Sequence, residues 1–195
     1  MPTVRNIARG VQSFTSNAFL VDGERTVLVD VGSGFDAVER VEAATGALDA
    51  VVLTHTHPDH VGNLESVVEA FDVDIWGFDP DSGFVDHAIA DGDTIQIGNE
   101  GYEVLHTPGH KNDHVCLYSA AAGALFAGDL VFANGGYGRT DLEEGDHGAL
   151  LDSLEYLLSS VDSALSTMYV GHGQTVDADP KQHIELALQT AKMRS

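Results

Sequence analysis

Thr54-His55-Thr56-His57-Pro58-Asp59-His60 follows directly on the apolar run Ala50-Val51-Val52-Leu53. Three imidazoles and a carboxylate in one short segment constrain this chain more than any other feature. The apolar run reads as a buried strand, and side chains leaving a strand end inherit its rigidity. His55 and His57 are two residues apart, so they project together as the strand ends. Pro58 turns the chain and presents Asp59 and His60 one step later. One loop can therefore supply ligands to two metal ions side by side. Imidazole with carboxylate is the ligand chemistry of zinc, and also of iron and manganese. The alternative is a polar turn that is rich in histidine by chance, and later segments decide between the two.

Those later segments arrive in order. Tyr102 to His106 leads into Thr107-Pro108-Gly109-His110, Ala124 to Ala127 leads into Gly128-Asp129, and Met168-Tyr169-Val170 leads into Gly171-His172-Gly173. Together with the His-x-His-x-Asp-His run, these four motifs resemble the metallo-β-lactamase superfamily from Asn17 to about Val176. The resemblance implies two neighbouring divalent metal ions, with zinc expected and iron or manganese as the other options. His55, His57 and His110 would hold the first, and Asp59, His60 and His172 the second. Asp129 and a hydroxide would bridge them. Four metal charges against two aspartates and a hydroxide leave a net positive site, suited to stabilising an oxyanion.

The other polar residues near the motifs are weighed individually. His114 follows His110 by four, but Gly109 and Val115-Cys116-Leu117-Tyr118 indicate a loop entering a strand. That puts His114 near the mouth rather than in the ligand set. His106 reads as a strand or supporting residue. His87, His147 and His183 read as surface residues. Asp30 ends the apolar run Val27-Leu28-Val29, either supporting the metal site or capping a turn.

Charge and cysteine usage set the surroundings. The chain has 31 acidic residues against 9 Lys and Arg, a formal net charge of −22. The acids are spread along the chain, which implies an acidic folded surface and not a disordered tail. Such a surface resembles that of proteins from salt-loving organisms, with an ordinary acidic protein as the alternative. Phosphate binding needs basic residues, so nucleic acid is excluded as a substrate. Residues 1–195 fit a single domain. No apolar run reaches transmembrane length, and Met1-Pro2-Thr3-Val4-Arg5 lacks a signal-peptide core. The single cysteine, Cys116, forbids an internal disulfide. A cytoplasmic location follows, while the oligomeric state stays open.

Hydrophobic patterning predicts a mixed α/β chain. Strands are expected at 17–21, 25–31, 50–54, 73–76, 100–106, 115–119, 124–127 and 166–170. Helices are expected at 35–44, 61–71, 146–159 and 179–193. Leu150, Leu151, Leu154, Leu157 and Leu158 share one face of the third helix. The resemblance implies a four-layer αβ/βα sandwich with the metals at one sheet edge.

The branches of the superfamily differ at identifiable residues. Zinc β-lactamases carry cysteine where this chain has Asp129. The flavin-partnered di-iron oxidoreductases carry glutamate where it has His57. Two likenesses remain, short glyoxalase II-like thioesterases and mononuclear iron persulfide dioxygenases. Gly138-Arg139-Thr140-Asp141 occurs in the second group. Gly128 to Phe132 and Gly145-Asp146, taken with that segment, favour the first. Only 23 residues follow His172, too few for the helical domain with which glyoxalase II grips glutathione. Arg139 would bind a substrate carboxylate or pair with Asp141. The reading is a metal-dependent hydrolase of a small acyl thioester, with Asp59 and Asp129 orienting a metal-bridging hydroxide. The alternatives are the dioxygenase and a non-catalytic metal-binding protein.

Overall fold

The computed structural model describes residues 3–194. Met1 and Pro2, part of the N-terminal stretch considered above, and Ser195 lie outside the described residues. Two sheets are packed face to face. The first has six strands in the order β1 (Thr3–Asn6), β2 (Phe19–Asp22), β3 (Val27–Val29), β4 (Ala50–Val52), β5 (Asp74–Gly77), β6 (His87–Ala88). Its β1-β2-β3 portion is antiparallel, and the rest is parallel. The second contains β7 (Thr94–Ile97), β8 (Glu100–His106), β9 (Val115–Ser119), β10 (Ala124–Gly128) and β11 (Thr167–Val170). Neighbours there are antiparallel except β10 and β11.

Period-two alternation assigns each strand side chain to a layer. Val27, Val29, Ala50 and Val52 face Val104, Leu117 and Phe126 between the sheets. Leu28 and Val51 point the other way, onto α1 (Ala37–Ala44) and α3 (Leu64–Phe71) through Val41 and Val67. Leu125 and Met168 point outward onto α4 (His147–Ser160) and α5 (Pro180–Lys192) through Leu154 and Ile184. Three apolar interfaces therefore separate four layers, as the αβ/βα sandwich requires. Helix starts follow their caps: Asp36 accepts the Glu39 N–H at 2.9 Å, and Asp146 accepts the Ala149 N–H at 3.0 Å. Leu150, Leu154 and Leu157 are buried on α4, while Leu151 and Leu158 pack at the margin. Among the described residues, no helix is long and apolar enough to cross a membrane.

Three departures from the sequence expectation have physical reasons. The helix expected over 61–71 begins at Leu64, with a separate short helix α2 (Pro58–Val61) before it. Between them Gly62 passes so close to Ser33 that a Cβ would collide at 2.4 Å from its side chain. The strand expected over 25–31 ends at Val29, because Asp30 turns the backbone to φ 57°. The strands β1, β6 and β7 were not anticipated. All three lie at sheet edges, and β6 is two residues long, too short for a periodic signal.

Candidate metal centre

The seven expected ligands leave the C-terminal ends of strands. His55 and His57 follow β4, Asp59 and His60 lie on α2, His110 follows β8, Asp129 follows β10 and His172 follows β11. Backbone hydrogen bonds fix these loops to one another. Val115 N–H donates to the Thr54 carbonyl at 2.8 Å, and Gly171 N–H donates to Gly128 at 2.7 Å. Gly171 also makes room for the centre, since a Cβ there would occupy the position of Asp129 Oδ1.

Three donor groups emerge, each with ligand atoms within 4.8 Å of one another: His55, His57 and His110; His55, His60 and Asp129; Asp59, His60 and His172. Asp129 lies between the outer two. Its Oδ1 is 3.4 Å from His60 Nε2, and its Oδ2 is 3.4 Å from His110 Nε2 and 3.5 Å from His172 Nε2. His172 Nε2 is also 3.0 Å from Asp59 Oδ2.

The rings are oriented from behind. His60 Nδ1 donates to Asp30 Oδ2 at 2.8 Å, and His110 Nδ1 donates to the Arg139 carbonyl at 2.8 Å. Thr54 Oγ1 donates to Asp30 Oδ2 at 2.7 Å, so it accepts from His55 Nδ1 at 3.1 Å. Each of these bonds holds the proton on Nδ1, so that Nε2 would offer its lone pair to a metal at the centre. Asp30 thus supports two ligands, and also accepts the Thr54 N–H at 2.8 Å. Its left-handed backbone is tolerable for aspartate.

The donor set fits divalent metal. His60 Nε2, His110 Nε2 and Asp129 Oδ1 are buried without hydrogen-bond partners. Orphaned polar atoms of this kind are costly unless something binds them. His55 Nε2 and His57 Nδ1 lie 3.1 Å apart, a spacing that calls for a shared cation or proton. Burial holds His55 well below its ordinary value, and burial with His110 nearby lowers His57. Both are neutral, as imidazole donors to a metal must be. Burial opposes charge on His60 and His172 too, but the carboxylates prevail and raise them to about 10 and about 9. Asp129 stays ionised, because the neighbouring His172 and His60 outweigh its burial. Without metal, protons on these two histidines supply the positive charge that the carboxylates demand.

Some residues sit where the sequence did not place them. His114 is fully buried and not at the mouth. Its Nε2 accepts the Asp129 N–H at 3.0 Å, and its Nδ1 bonds Thr107 Oγ1 at 2.9 Å. Burial lowers it to about 3, so it remains a neutral acceptor. His106 stacks on Phe78 at 3.8 Å, outside the cluster. His87 stacks on Trp76 and bonds Asp74, half exposed. His183 accepts the Asn134 N–H at 2.8 Å, and His147 bonds the Ala191 carbonyl at 3.1 Å. Arg139 lines the cavity above the centre, paired with Asp141. Phe14 escaped the sequence reading, although a phenylalanine inside Gln12-Ser13-Phe14-Thr15-Ser16 is an apolar residue in a polar loop. It stacks on His172 with ring centroids 5.5 Å apart.

A sandwich of two sheets between helices, with histidines and aspartates converging at strand ends, defines a family of metal-dependent proteins. The model of the metallo-beta-lactamase superfamily matches residues 12–172, and the chain belongs to that superfamily. It is 27% identical over 188 residues to hydroxyacylglutathione hydrolase GloC of Haemophilus influenzae, covering 84% of this chain and 88% of that one. It is 34% identical over 171 residues to hydroxyacylglutathione hydrolase of Aeromonas salmonicida, covering 85% of this chain and 65% of that one. The chain thus spans somewhat under two thirds of this longer relative. Among solved structures, the di-iron-bound form of TTHA1623 is similar, with TM-score 0.73 and 29% identity over 97% of this chain and 96% of that one.

Proposed function

We propose that this protein is a binuclear metal-dependent hydrolase of acyl thioesters, similar in activity to the hydroxyacylglutathione hydrolases. The observation that carries the reading is the overlap of three donor groups around Asp129, with unpartnered ligand atoms facing one another at the floor of an open cavity. His55, His57 and His110 would hold one ion, Asp59, His60 and His172 the other, with Asp129 shared. Zinc is the first expectation, and the di-iron relative keeps iron in view. When bound, divalent ions supply Lewis acidity toward a carbonyl and make a water acidic enough to ionise near pH 7.

The remaining roles belong to the chain. Asp59 and Asp129 remain ionised and accept hydrogen bonds from the attacking water, which sets its direction. Asp30 and the Arg139 carbonyl hold the histidine rings so that the geometry is in place before substrate arrives. Phe14 and Phe132 flank the His172 ring and limit its orientations.

The test pairs metal analysis with a substrate panel. Two ions per chain and turnover of acyl thioesters are expected. One iron per chain with oxygen uptake on a persulfide would replace this reading with a dioxygenase. Full metal loading with no turnover of either would leave a metal-binding protein.

A further inference from the structure

The cavity above the centre encloses about 670 Å3, a volume typical of small-molecule sites. Away from the ligands its wall is Phe14, Phe132, Tyr137 and Leu142. Phe14 is 80% exposed yet held parallel to the His172 ring. An aromatic face kept in that position is suited to packing against an apolar group.

The charged part of the wall is arranged differently. Among the described residues, Arg139 is the only lysine or arginine lining the cavity. Its Nε and Nη2 donate to the two Asp141 oxygens, both at 2.8 Å. That bidentate contact occupies one of the two forks of the guanidinium and sets a carboxylate charge against it, leaving only the Nη1 side for a carboxylate ligand. Asp141 is held ionised at about 2 by the same bonds. Glu143 also lines the cavity, and among the described residues it forms no ion pair. Lys111, beside the cluster, is committed to Glu144 at 2.7 Å and Asp113 at 3.5 Å.

We propose that Asp141 masks Arg139, and that the cavity thereby selects acyl thioesters whose distal arm is apolar and carries no carboxylate. The reaction in this statement rests on the thioesterase reading, whereas the selection rests on the cavity wall alone. A glutathione arm brings two carboxylates and one ammonium. To reach Arg139, a carboxylate must either displace Asp141, which is tethered two residues away at high effective concentration, or approach the Nη1 side against the Asp141 charge. It must also approach Glu143. An uncharged arm meets neither obstacle and covers Phe14 and Phe132.

The zinc-loaded protein can be titrated calorimetrically with two stable thioethers that share one alkyl group, S-hexylglutathione and S-hexyl-N-acetylcysteamine. The neutral probe is expected to bind about tenfold more tightly at low salt, as for a penalty of one masked bidentate contact and like-charge approach. Asp141→Asn changes an exposed residue and frees Arg139. It is expected to tighten S-hexylglutathione by about fivefold while leaving the neutral probe unchanged. Adding Arg139→Gln to that variant should abolish the gain. Equal or tighter binding of S-hexylglutathione by the unaltered protein overturns the proposal. So does the absence of a gain in Asp141→Asn, or failure of both probes to bind. Hydrolysis of the matching thioesters separates the two levels. The binding preference without turnover overturns the thioesterase reading and supports the selection, whereas turnover with the opposite preference supports the former and overturns the latter.

Discussion

Asp129 lies 3.4 Å from His60 Nε2, 3.4 Å from His110 Nε2 and 3.5 Å from His172 Nε2, so its removal takes away the carboxylate that these three atoms face. Asp129→Ala is expected to lose nearly all activity and to retain metal at a level reduced beyond the roughly 10–100-fold that loss of a supporting residue costs. Metal content after gel filtration, alongside an unchanged circular dichroism spectrum, checks this. His114 acts one bond further back. Its imidazole accepts the Asp129 N–H in a fully buried position. His114→Ala strands that N–H and opens a cavity, each costing about 1–3 kcal/mol. A lowered melting temperature and a weakened metal affinity of about tenfold are expected. Unchanged values for both would show that the His114 contact contributes nothing. The seven candidate ligands were legible in the sequence because they fall in four short motifs, each following an apolar run. His114 was not, because the group it serves lies 15 residues away on the far side of a strand pair. Only folding brings them together.

At the scale of elements, the site depends on chain segments meeting closely at strand ends. Asp129 lies between β10 and the Gly171 turn that follows β11, and β10 shifts register at Phe126–Gly128 to deliver it. Gly128 adopts φ 48°, where a side chain would be strained and would meet His114. Gly171→Ala is the cleaner probe, since its Cβ would collide with the Asp129 carboxylate itself. It should fold, because the severe collision falls on the Asp129 side chain, while the Gly128 backbone, 3.0 Å away, has to give by only a few tenths of an ångström. Metal affinity is expected to fall about tenfold or more with a small change in melting temperature. An unaltered affinity would mean that Asp129 has room to move. The helices and central strands were legible because apolar periodicity and caps such as Asp36 and Asp146 are local signals. The break at Gly62 was not, because its cause is a contact with Ser33 across the chain. Phe14 likewise acquires meaning only from the His172 ring beneath it.

At the scale of the molecule, charge couples the centre to stability. In the metal-free protein His60 and His172 are raised to about 10 and about 9. Both exceed the unfolded value, about 6.5. Their stabilising charge is therefore fully present below about pH 6.5 and lost as pH rises through their folded values. Melting of the metal-free protein should fall between pH 7 and pH 10, and saturating zinc should remove most of that slope, because the ion replaces the protons. Parallel slopes with and without zinc would count against it. The wider surface poses a separate question. A net charge of −22 with only three lysines, Lys111, Lys181 and Lys192, implies self-repulsion in dilute buffer. Some of that charge is locally offset, as where Lys192 meets Glu155 at 2.6 Å and Lys111 meets Glu144. With 31 acidic residues against 9 basic ones, most carboxylates have no such neighbour. Screening extends about 30 Å at 0.01 M salt and about 3 Å at 1 M. Repulsion across the whole surface should thus collapse to nearest neighbours in molar salt, while the exposed pairs lost are worth at most about 1 kcal/mol each. The melting temperature, followed with zinc saturating throughout so that metal binding contributes equally, should rise from low to molar potassium chloride. A flat or falling curve would refute adaptation to high salt and leave the metal centre, which rests on other residues, untouched.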